Sequence, residues 1–382
     1  MPSGPDITYV ADPDTLRRIT CDILRSPFVS VDTESNGFFR YPERICLVQL
    51  ATETRCYLVD PLAVEASEPL RRIFHDPAIR KILHSGENDI RSLDREWGMT
   101  VVNLYDTAVG ARFLGLEKLG LGNIAEEVIG LKLVKDKRLQ RADWGLRPLS
   151  DEALRYAASD VLHLKRLMDE LVRRTDALGR SQWVEEECRR IEAVRYSPPD
   201  GPKKSFISIK GSSGLDGRAL AILRELAVFR DAAALKLGRP AFRVMPDRAL
   251  VAIAQEPKAD LKSLPGIGAY ALRRYGKAIA KAVARGTASR PVDRRAFRKP
   301  STPRPTHEQM ANLKQLKAWR SALAKQLSLE QSLIWPADSL DRLARAPSKL
   351  EEEMHAPEVR RWQVSEFSES LRHTVRCLHP TG

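Results

Sequence analysis

The order of β-rich and helix-rich segments is the feature that most restricts the fold of this chain. Three short β-rich runs, separated by turn residues, occupy positions 28–34, 45–51 and 56–62 and predict an antiparallel meander. Two further buried-strand patterns, at 81–86 and 101–107, are each followed by a helical stretch, which favours βα units that complete a mixed sheet. The first part of the chain is therefore predicted to be an α/β domain.

Beyond Asp143 the sequence becomes helical. Ser150 precedes the acids Asp151 and Glu152, a pattern typical of a helix N-cap with favourable charges in the first turn. The apolar spacing that follows predicts one long amphipathic helix that continues through Leu164.

Two stretches rich in Pro, Gly, Ser and Lys, at 197–214 and 287–305, predict linkers. They divide the chain into an α/β domain at 1–196 and two all-α domains at 215–286 and 306–382. The two helical parts repeat at a constant offset of 90, which indicates a duplication. The matching pairs are Phe229 and Trp319, Pro246 and Pro336, Leu250 and Leu340, Ala254 and Ala344, and Pro257 and Pro347.

Positive charge is concentrated in the middle of the chain. Residues 201–300 contain 22 Lys and Arg against 7 Asp and Glu, whereas the whole chain has 63 against 50. Such a block is typical of a polyanion binder, and nucleic acid is the commonest intracellular polyanion. A solvated basic surface without a partner is the alternative interpretation.

The five cysteines are scattered, odd in number and without a CxxC pair, which is typical of reduced cytosolic thiols. No basic segment followed by an apolar run stands at the N-terminus, and no stretch approaches the roughly 20 apolar residues of a membrane span. We expect a cytoplasmic protein without a membrane partner, and a monomer is the favoured oligomeric state.

Two carboxylates follow the first buried run. Side chains alternate along a strand, so Asp32 and Glu34 should project from one face, about 6.5–7 Å apart along the backbone. They would repel each other unless a cation lay between them, and oxygen ligands without nearby His or Cys favour Mg²⁺ or Mn²⁺. A solvated strand end is the simpler alternative for these two residues alone.

Three more residues complete the candidate site. Asp89 follows a predicted strand and lies near the start of the next helix, where ligand sites of α/β sheets gather. Tyr156 and Asp160 are four residues apart, so they share one helix face. Each has an ordinary structural explanation by itself, but four carboxylates together could hold two divalent cations for an in-line phosphoryl displacement.

The segments VDTE, HSGENDIRSL and YAASDV resemble the three exonuclease motifs of the DEDD superfamily, tyrosine branch, and their order and spacing resemble the ribonuclease D family. This resemblance implies an RNase H-like domain followed by helical HRDC-like domains. It also implies two Mg²⁺ or Mn²⁺ ions and 3′→5′ removal of nucleoside 5′-monophosphates from RNA with a single-stranded 3′ end. Maturation of tRNA precursors is the role expected from it.

The resemblance also assigns residue roles. The family's metal-ligating acids fall on Asp32, Glu34, Asp89 and Asp160, and its water-positioning tyrosine falls on Tyr156. Asp32 would bridge both ions, Glu34 and Asp160 would complete the nucleophile-side ion, and Asp89 would hold the leaving-group ion partly through water. All five residues are present, so an active enzyme is expected.

The first helical repeat resembles the HRDC domain, a nucleic-acid-binding module, and the second repeat departs from it by losing the glycines of LPGIGAYALRRYG. That segment could offer backbone N–H groups to a phosphate, or it could be a plain glycine turn. Lys135, Lys137 and Arg138 could touch phosphates or solvate a loop, and Phe38 could stack a base or pack in the core. The expected RNA contacts are Phe38, Lys135, Lys137, Arg138, Gly266, Gly268, Arg273 and Arg274.

Two other functions compete with RNA trimming. A 3′→5′ DNA exonuclease would use the same metal chemistry, and only contacts to the 2′-OH would distinguish the two. A non-catalytic RNA-binding scaffold would be expected to have lost at least one carboxylate, and this chain has lost none.

Overall fold

The computed structural model of the chain describes residues 6–133, 136–297 and 303–378. A six-stranded mixed sheet forms the centre of the first part and confirms the predicted α/β domain. Its strands are β1 (Asp6–Val10), β2 (Phe28–Ser35), β3 (Ile45–Ala51), β4 (Arg55–Val59), β5 (Arg80–Leu83) and β6 (Leu104–Asp106).

The strand order is β1-β4-β3-β2-β5-β6. Strands β2, β3 and β4 pair antiparallel, as the predicted meander requires, whereas β5 and β6 extend the sheet in parallel from β2. Strand β1, which the sequence pattern did not predict, pairs in parallel with β4 at the edge of the sheet. It escaped prediction because only its last residue, Val10, is buried, so it lacks an apolar run.

Eight helices surround the sheet. They are α1 (Pro13–Ile23), α2 (Ser67–Phe74), α3 (Glu87–Trp97), α4 (Thr107–Phe113), α5 (Leu121–Ile129), α6 (Asp151–Val161), α7 (Leu164–Ala177) and α8 (Ser181–Glu192). Ser150 caps α6 as predicted, but the prediction of one long helix is wrong, since α6 ends at Val161 and α7 begins at Leu164. The break lets α6 pack on β2, β3 and β4 while α7 packs on β5 and α4.

The described residues beyond α8 form helices joined by loops and short turns. The helices are α9 (Pro202–Ser205), α10 (Gly217–Leu237), α11 (Ala241–Val244), α12 (Asp247–Gln255), α13 (Ala269–Ala288), α14 (His307–Leu327), α15 (Gln331–Ile334), α16 (Ala337–Arg345), α17 (Leu350–Met354) and α18 (Arg361–Arg376). The bounds of α10, α11 and α12 recur in α14, α15 and α16 at an offset of 90, as the sequence repeat predicts. In the described residues no helix combines the length and the apolar character needed to cross a membrane.

The two helical bundles differ in what they pack against. The first, built on α10 and α13, has an apolar core of its own, and the fully buried Phe206 belongs to it. Part of the predicted linker at 197–214 therefore packs on this bundle.

The second bundle shares one continuous apolar core with the α/β domain. Trp183 of α8 stacks on Trp362 of α18 with ring centroids 4.6 Å apart. The Arg180 guanidinium donates to the carbonyl oxygens of Phe113 and Leu327, at 2.6 and 2.7 Å, and so joins the two parts. The second bundle is thus a support for the α/β domain.

Candidate active site

Strand β2 delivers two acids to an open cleft. Its first half is buried between β3 and β5, whereas the residues from Asp32 onward are only partly buried. Asp32 lies directly opposite the fully buried Gln49 of β3, and the pairing becomes irregular after Glu34. Because the pairing of β2 with β5 ends at Ser30, the acids lie on a part of β2 that is paired on one side only.

Helix α6 brings the third acid. The Ser150 hydroxyl accepts a hydrogen bond from the Ala153 N–H at 3.2 Å, which fixes the start of the helix over the sheet. Carboxylate oxygens of Asp32, Glu34 and Asp160 then lie within 4.8 Å of one another. The structure thus brings together three of the four predicted metal ligands in one cluster.

Asp89 lies beside this cluster, in the first turn of α3, as the sequence predicts. Its carboxylate accepts a hydrogen bond from the Thr33 hydroxyl of β2. The loop before α3 is held by Asp106, whose buried carboxylate accepts the backbone N–H groups of Ser85 and Gly86 at 3.1 and 2.8 Å. Asp106 also caps α4, so one side chain fixes the two loops that follow β5 and β6.

The acids disturb one another's ionisation. Burial, reinforced by the charges of the neighbouring acids, raises the pKa of Asp32 well above its ordinary value. Burial, together with Asp160 and Asp89, raises the pKa of Glu34 to about 9. Burial also raises the pKa of Asp89 to about 6, although the hydrogen bond from Thr33 opposes the shift. The cluster therefore carries an electrostatic cost that a bound cation would remove.

Tyr156 is half-buried at the same cleft. Burial, followed by the charges of Asp160 and Glu34, raises the pKa of its phenol above the ordinary value, so the hydroxyl stays protonated near neutral pH. Its ring lies 6.3 Å from that of the buried Trp144. This indole belongs to the loop that leads into α6.

An ion pair anchors that loop to the sheet. Arg147 donates two hydrogen bonds, at 2.5 and 2.7 Å, to the carboxylate of the buried Asp60, which follows β4. It also donates to the carbonyl oxygens of Trp144 and Cys46. A bidentate pair of this kind fixes orientation as well as distance, so it holds Trp144 against Tyr156.

The cleft above the carboxylates has a volume of about 330 Å³. Besides the predicted residues it is lined by side chains that sequence reasoning missed, among them His84, Leu133, Gln140 and Ser159, and by Gly120, Leu121 and Gly122 at the start of α5. The position of His84 at the end of β5 and the glycines that flank Leu121 are the signals that could have pointed to them.

The predicted RNA contacts that the structure describes are not among the residues that line the cleft. Phe38 is 64% exposed, so packing in the core does not explain it. Lys137 and Arg138 are exposed, and Arg138 forms ion pairs with Asp136 and Glu152. Lys135 lies outside the described residues.

The glycine segment of the first helical bundle leads into α13. Gly266 has a φ of +84°, a conformation that favours glycine, and Gly268 is the N-cap of α13 without a side-chain cap. Arg273 and Arg274 are exposed on the following turns. A helix start with free backbone N–H groups and nearby cations is suited to a phosphate.

The donor set of the cluster fits a divalent cation. Within the described residues it consists of carboxylate oxygens, the ligands that Mg²⁺ and Mn²⁺ prefer. The charged neighbours that raise the pKa values of Asp32 and Glu34 are other acids, so a bound cation would relieve their repulsion.

Comparisons with known proteins agree with this geometry. Residues 7–176 match the family described as 3′-5′ exonuclease, and residues 219–283 match the HRDC domain. The chain is 29% identical over 373 residues to ribonuclease D of Gluconacetobacter diazotrophicus, an alignment that covers 96% of this chain and 92% of the relative. It is 30% identical over 267 residues to ribonuclease D of Sphingobium indicum, with 68% of each chain covered.

A solved structure extends the likeness in fold to nearly the whole chain. Escherichia coli RNase D superposes with a TM-score of 0.71 at 23% identity and covers 97% of this chain and 99% of its own. The mixed sheet, the acidic cleft, the helical HRDC region and the similarity along most of the sequence lead to one assignment. The chain belongs to the ribonuclease D family of 3′→5′ exoribonucleases.

Proposed function

We propose that this exoribonuclease hydrolyses the terminal phosphodiester of RNA with two divalent cations, Mg²⁺ or Mn²⁺, held by Asp32, Glu34, Asp89 and Asp160. The observation that carries the proposal is the set of carboxylate oxygens from Asp32, Glu34 and Asp160 within 4.8 Å of one another at the base of a cleft. Asp89, hydrogen-bonded beside them, would complete the ligand set.

Bound cations would supply positive charge to the attacking and leaving oxygens and would make water a stronger nucleophile. The chain's own residues prepare the geometry. The sheet holds Asp32 and Glu34, and α6, which packs on β2, holds Asp160. Helix α3 holds Asp89 and is tied to β2 by the hydrogen bond from Thr33. This rigidity keeps the carboxylates close despite their repulsion.

The proposed role of Tyr156 is orientation. A phenol with a raised pKa is a poor general base, but its hydroxyl is a good hydrogen-bond partner for the attacking water. Trp144 restricts the ring from one side, and the helix fixes it four residues before Asp160. Tyr156 would therefore hold the water in line with the scissile phosphorus.

In this proposal the basic middle of the chain binds the RNA backbone and guides the 3′ end to the cleft. The start of α13 at Gly268, together with the exposed Arg273 and Arg274, offers phosphate contacts that read no sequence. The exposed Lys137 and Arg138 near the cleft would add to the positive surface. Such contacts give affinity that falls with salt.

We further propose the 3′ extensions of tRNA precursors as the physiological substrate, with nucleoside 5′-monophosphates as products. The proposed units are an exonuclease domain at 1–196, an HRDC domain at 215–286 and a divergent HRDC-like domain at 306–382. Membership of the ribonuclease D family supports the substrate. A cytoplasmic monomer is the expected form.

The test uses purified full-length protein and 5′-labelled single-stranded substrates. RNA with a 3′-hydroxyl, the same RNA with a 3′-phosphate, and matched DNA are incubated with Mg²⁺, with Mn²⁺ or with chelator. We expect a ladder of RNA shortened from the 3′ end, lost with chelator and in Asp32→Asn. Full activity in folded Asp32→Asn would refute the metal assignment.

A second comparison addresses the substrate. A tRNA carrying a short 3′ extension is compared with an unstructured RNA of the same tail sequence. Trimming that stops near the mature end of the tRNA supports the proposed role, whereas equal degradation of both RNAs argues for general RNA decay.

A further inference from the structure

A short contact region joins the exonuclease domain to the first helical bundle. We define the seam as residues 38–41, in the loop after β2, and residues 238–243, between α10 and α12. The Tyr41 N–H donates to the Gly238 carbonyl at 3.2 Å, and its hydroxyl donates to Asp231 of α10 at 3.0 Å. Arg243 Nε donates to the Phe38 carbonyl at 2.7 Å. These bonds fix the two sides of the seam against each other.

The seam presents two large apolar rings to solvent. Phe38 is 64% exposed and Phe242 is 54% exposed. A single exposed aromatic needs no explanation, but these two are contributed by different domains and are linked through one side chain. The Arg243 guanidinium bonds the Phe38 backbone and lies 5.9 Å from the Phe242 ring centroid.

Positive charge borders the rings. Arg243 also lies 4.8 Å from the ring centroid of Phe39, so the guanidinium is held between aromatic faces. Arg40 and Arg239 are exposed and directly adjoin Tyr41 and Gly238, the residues that hold the seam together. Exposed aromatic rings within a basic border are the combination that binds single-stranded nucleic acid, because bases stack and phosphates are neutralised.

The seam is also close to the cleft. Phe38 is four positions after Glu34, and four extended steps of the backbone span at most about 14 Å. The loop is ordered, since the carbonyl of Asn36 accepts the N–H groups of Phe39 and Arg40, both at 2.8 Å. The side-chain oxygen of Asn36 accepts a hydrogen bond from the Arg44 N–H at 2.9 Å. Phe38 is therefore held within this short distance of the acidic end of β2, and Arg243 links Phe242 to it.

We propose that the seam binds the bases of the single-stranded RNA tail upstream of the scissile bond, with Phe38 and Phe242 as stacking platforms and the arginines on the phosphates. The proposal rests on the proposed function, because it needs RNA to enter the cleft with its 3′ end. Since the two rings come from two domains, a tail that reaches both is gripped more tightly than one that fills the cleft alone. The seam thus sets a minimum length of tail for tight binding.

The experiment uses full-length protein with fluorescent base analogues. Oligoadenylates carry 2-aminopurine at successive positions from the 3′ end, and binding is measured without divalent cations so that the RNA stays intact. The variants are Phe38→Ala, Phe242→Ala, Phe242→Leu, which removes the aromatic face, and Phe242→Trp, which keeps it. Met310→Ala, at a 50% exposed apolar residue of α14, is the matched control.

We expect Phe242→Ala and Phe242→Leu to weaken binding of a long oligoadenylate by roughly 5- to 150-fold, the usual cost of losing one base stack. Phe242→Trp should restore binding, and the 2-aminopurine signal should change at one internal position. Met310→Ala should bind as the wild type does. The loss in the alanine variants should be much smaller with a dinucleotide than with the long RNA.

Unchanged affinity for the long oligoadenylate in Phe38→Ala and Phe242→Ala would overturn the proposal. The exposed rings would then be better explained as a contact surface for a protein partner. Equal losses with the dinucleotide and the long RNA would also overturn it, because the rings would then act only on the structure. Hydrolysis of RNA by the wild-type protein with Mg²⁺ is a separate measurement. Absence of hydrolysis would reject the proposed function, whereas the binding measurements alone test whether the seam binds RNA.

Discussion

Replacing Glu34 by glutamine should stabilise the metal-free protein. Because the pKa of Glu34 is raised from 4.5 to about 9, the folded state takes up a proton between these values that the unfolded state does not hold. Ionised Glu34 therefore lowers the free energy of unfolding. This loss of stability is absent below pH 4.5, grows as the pH rises and levels off above about 9. Stability of the metal-free protein should therefore fall through this window.

The size of the effect follows from the shift. From pH 4.5 to 7 is 2.5 units, and each unit corresponds to about 1.36 kcal/mol, so the free-energy penalty at pH 7 has an upper limit of about 3.4 kcal/mol. Partial exposure of the side chain reduces it to about 2 kcal/mol. In a protein of 382 residues Glu34→Gln should then raise Tm by about 2–3 °C at pH 7.

Thermal unfolding in chelator, followed by circular dichroism at pH 5, 7 and 8.5, measures this difference. The gap between Glu34→Gln and the wild type should widen with pH. Divalent cations should stabilise the wild type more than the variant, since they bind the ionised carboxylates of the folded state. The control is Glu117→Gln, at an exposed acid outside the cleft. A variant less stable than the wild type at pH 7 in chelator would refute the reasoning.

Three further outcomes are expected. Tyr156→Phe should lower single-turnover cleavage by roughly 10²–10⁴-fold while RNA affinity is retained, and a wild-type rate would leave the phenol without a mechanistic role. Replacing Arg273 and Arg274 by glutamine should make the slope of log K against log salt shallower by about 1.4, measured by RNA titration at several salt concentrations, if both contact phosphates. Ending the chain before residue 306 should cost at least about 3–5 kcal/mol in denaturant unfolding, because Trp183 loses its stacking partner, and unchanged unfolding would contradict the shared core.

The clustering of the candidate acids could be predicted from the sequence because it depends on local periodicity. Alternation along a strand places Asp32 and Glu34 on one face, and a spacing of four places Tyr156 and Asp160 on one side of a helix. The order of the motifs along the chain then identified the family. The strand alternation and the helical spacing are local properties, so they can be used without knowledge of any long-range contact.

Features that depend on distant contacts were not predictable in the same way. The turn between α6 and α7 has no proline or glycine, and it exists because the two helices pack on different strands. Asp106 looks like an ordinary helix cap in the sequence, yet it also holds the loop before Asp89. Strand β1 depends on its partner β4, because its own residues are mostly exposed.

The role of the second bundle also lay beyond the sequence pattern. The repeat at an offset of 90 predicts that the two bundles resemble each other, and their helix bounds agree. It does not predict that one bundle keeps a separate core while the other merges with the α/β domain. That difference arises from contacts such as the Trp183–Trp362 stack, which join residues far apart in the chain.

The shared core has a consequence for synthesis of the chain on the ribosome. Helix α8 ends at Glu192, whereas its stacking partner Trp362 belongs to α18, near the other end of the chain. At roughly 5–20 residues per second, the ribosome needs on the order of 10–40 s to add the intervening residues. During that interval the indole of Trp183 keeps its edge contact with Phe113 but lacks its stacking partner Trp362, while the middle bundle can already close its own core. The nascent exonuclease domain is therefore most exposed to aggregation and to chaperone binding at its α8 surface until the last helix is made.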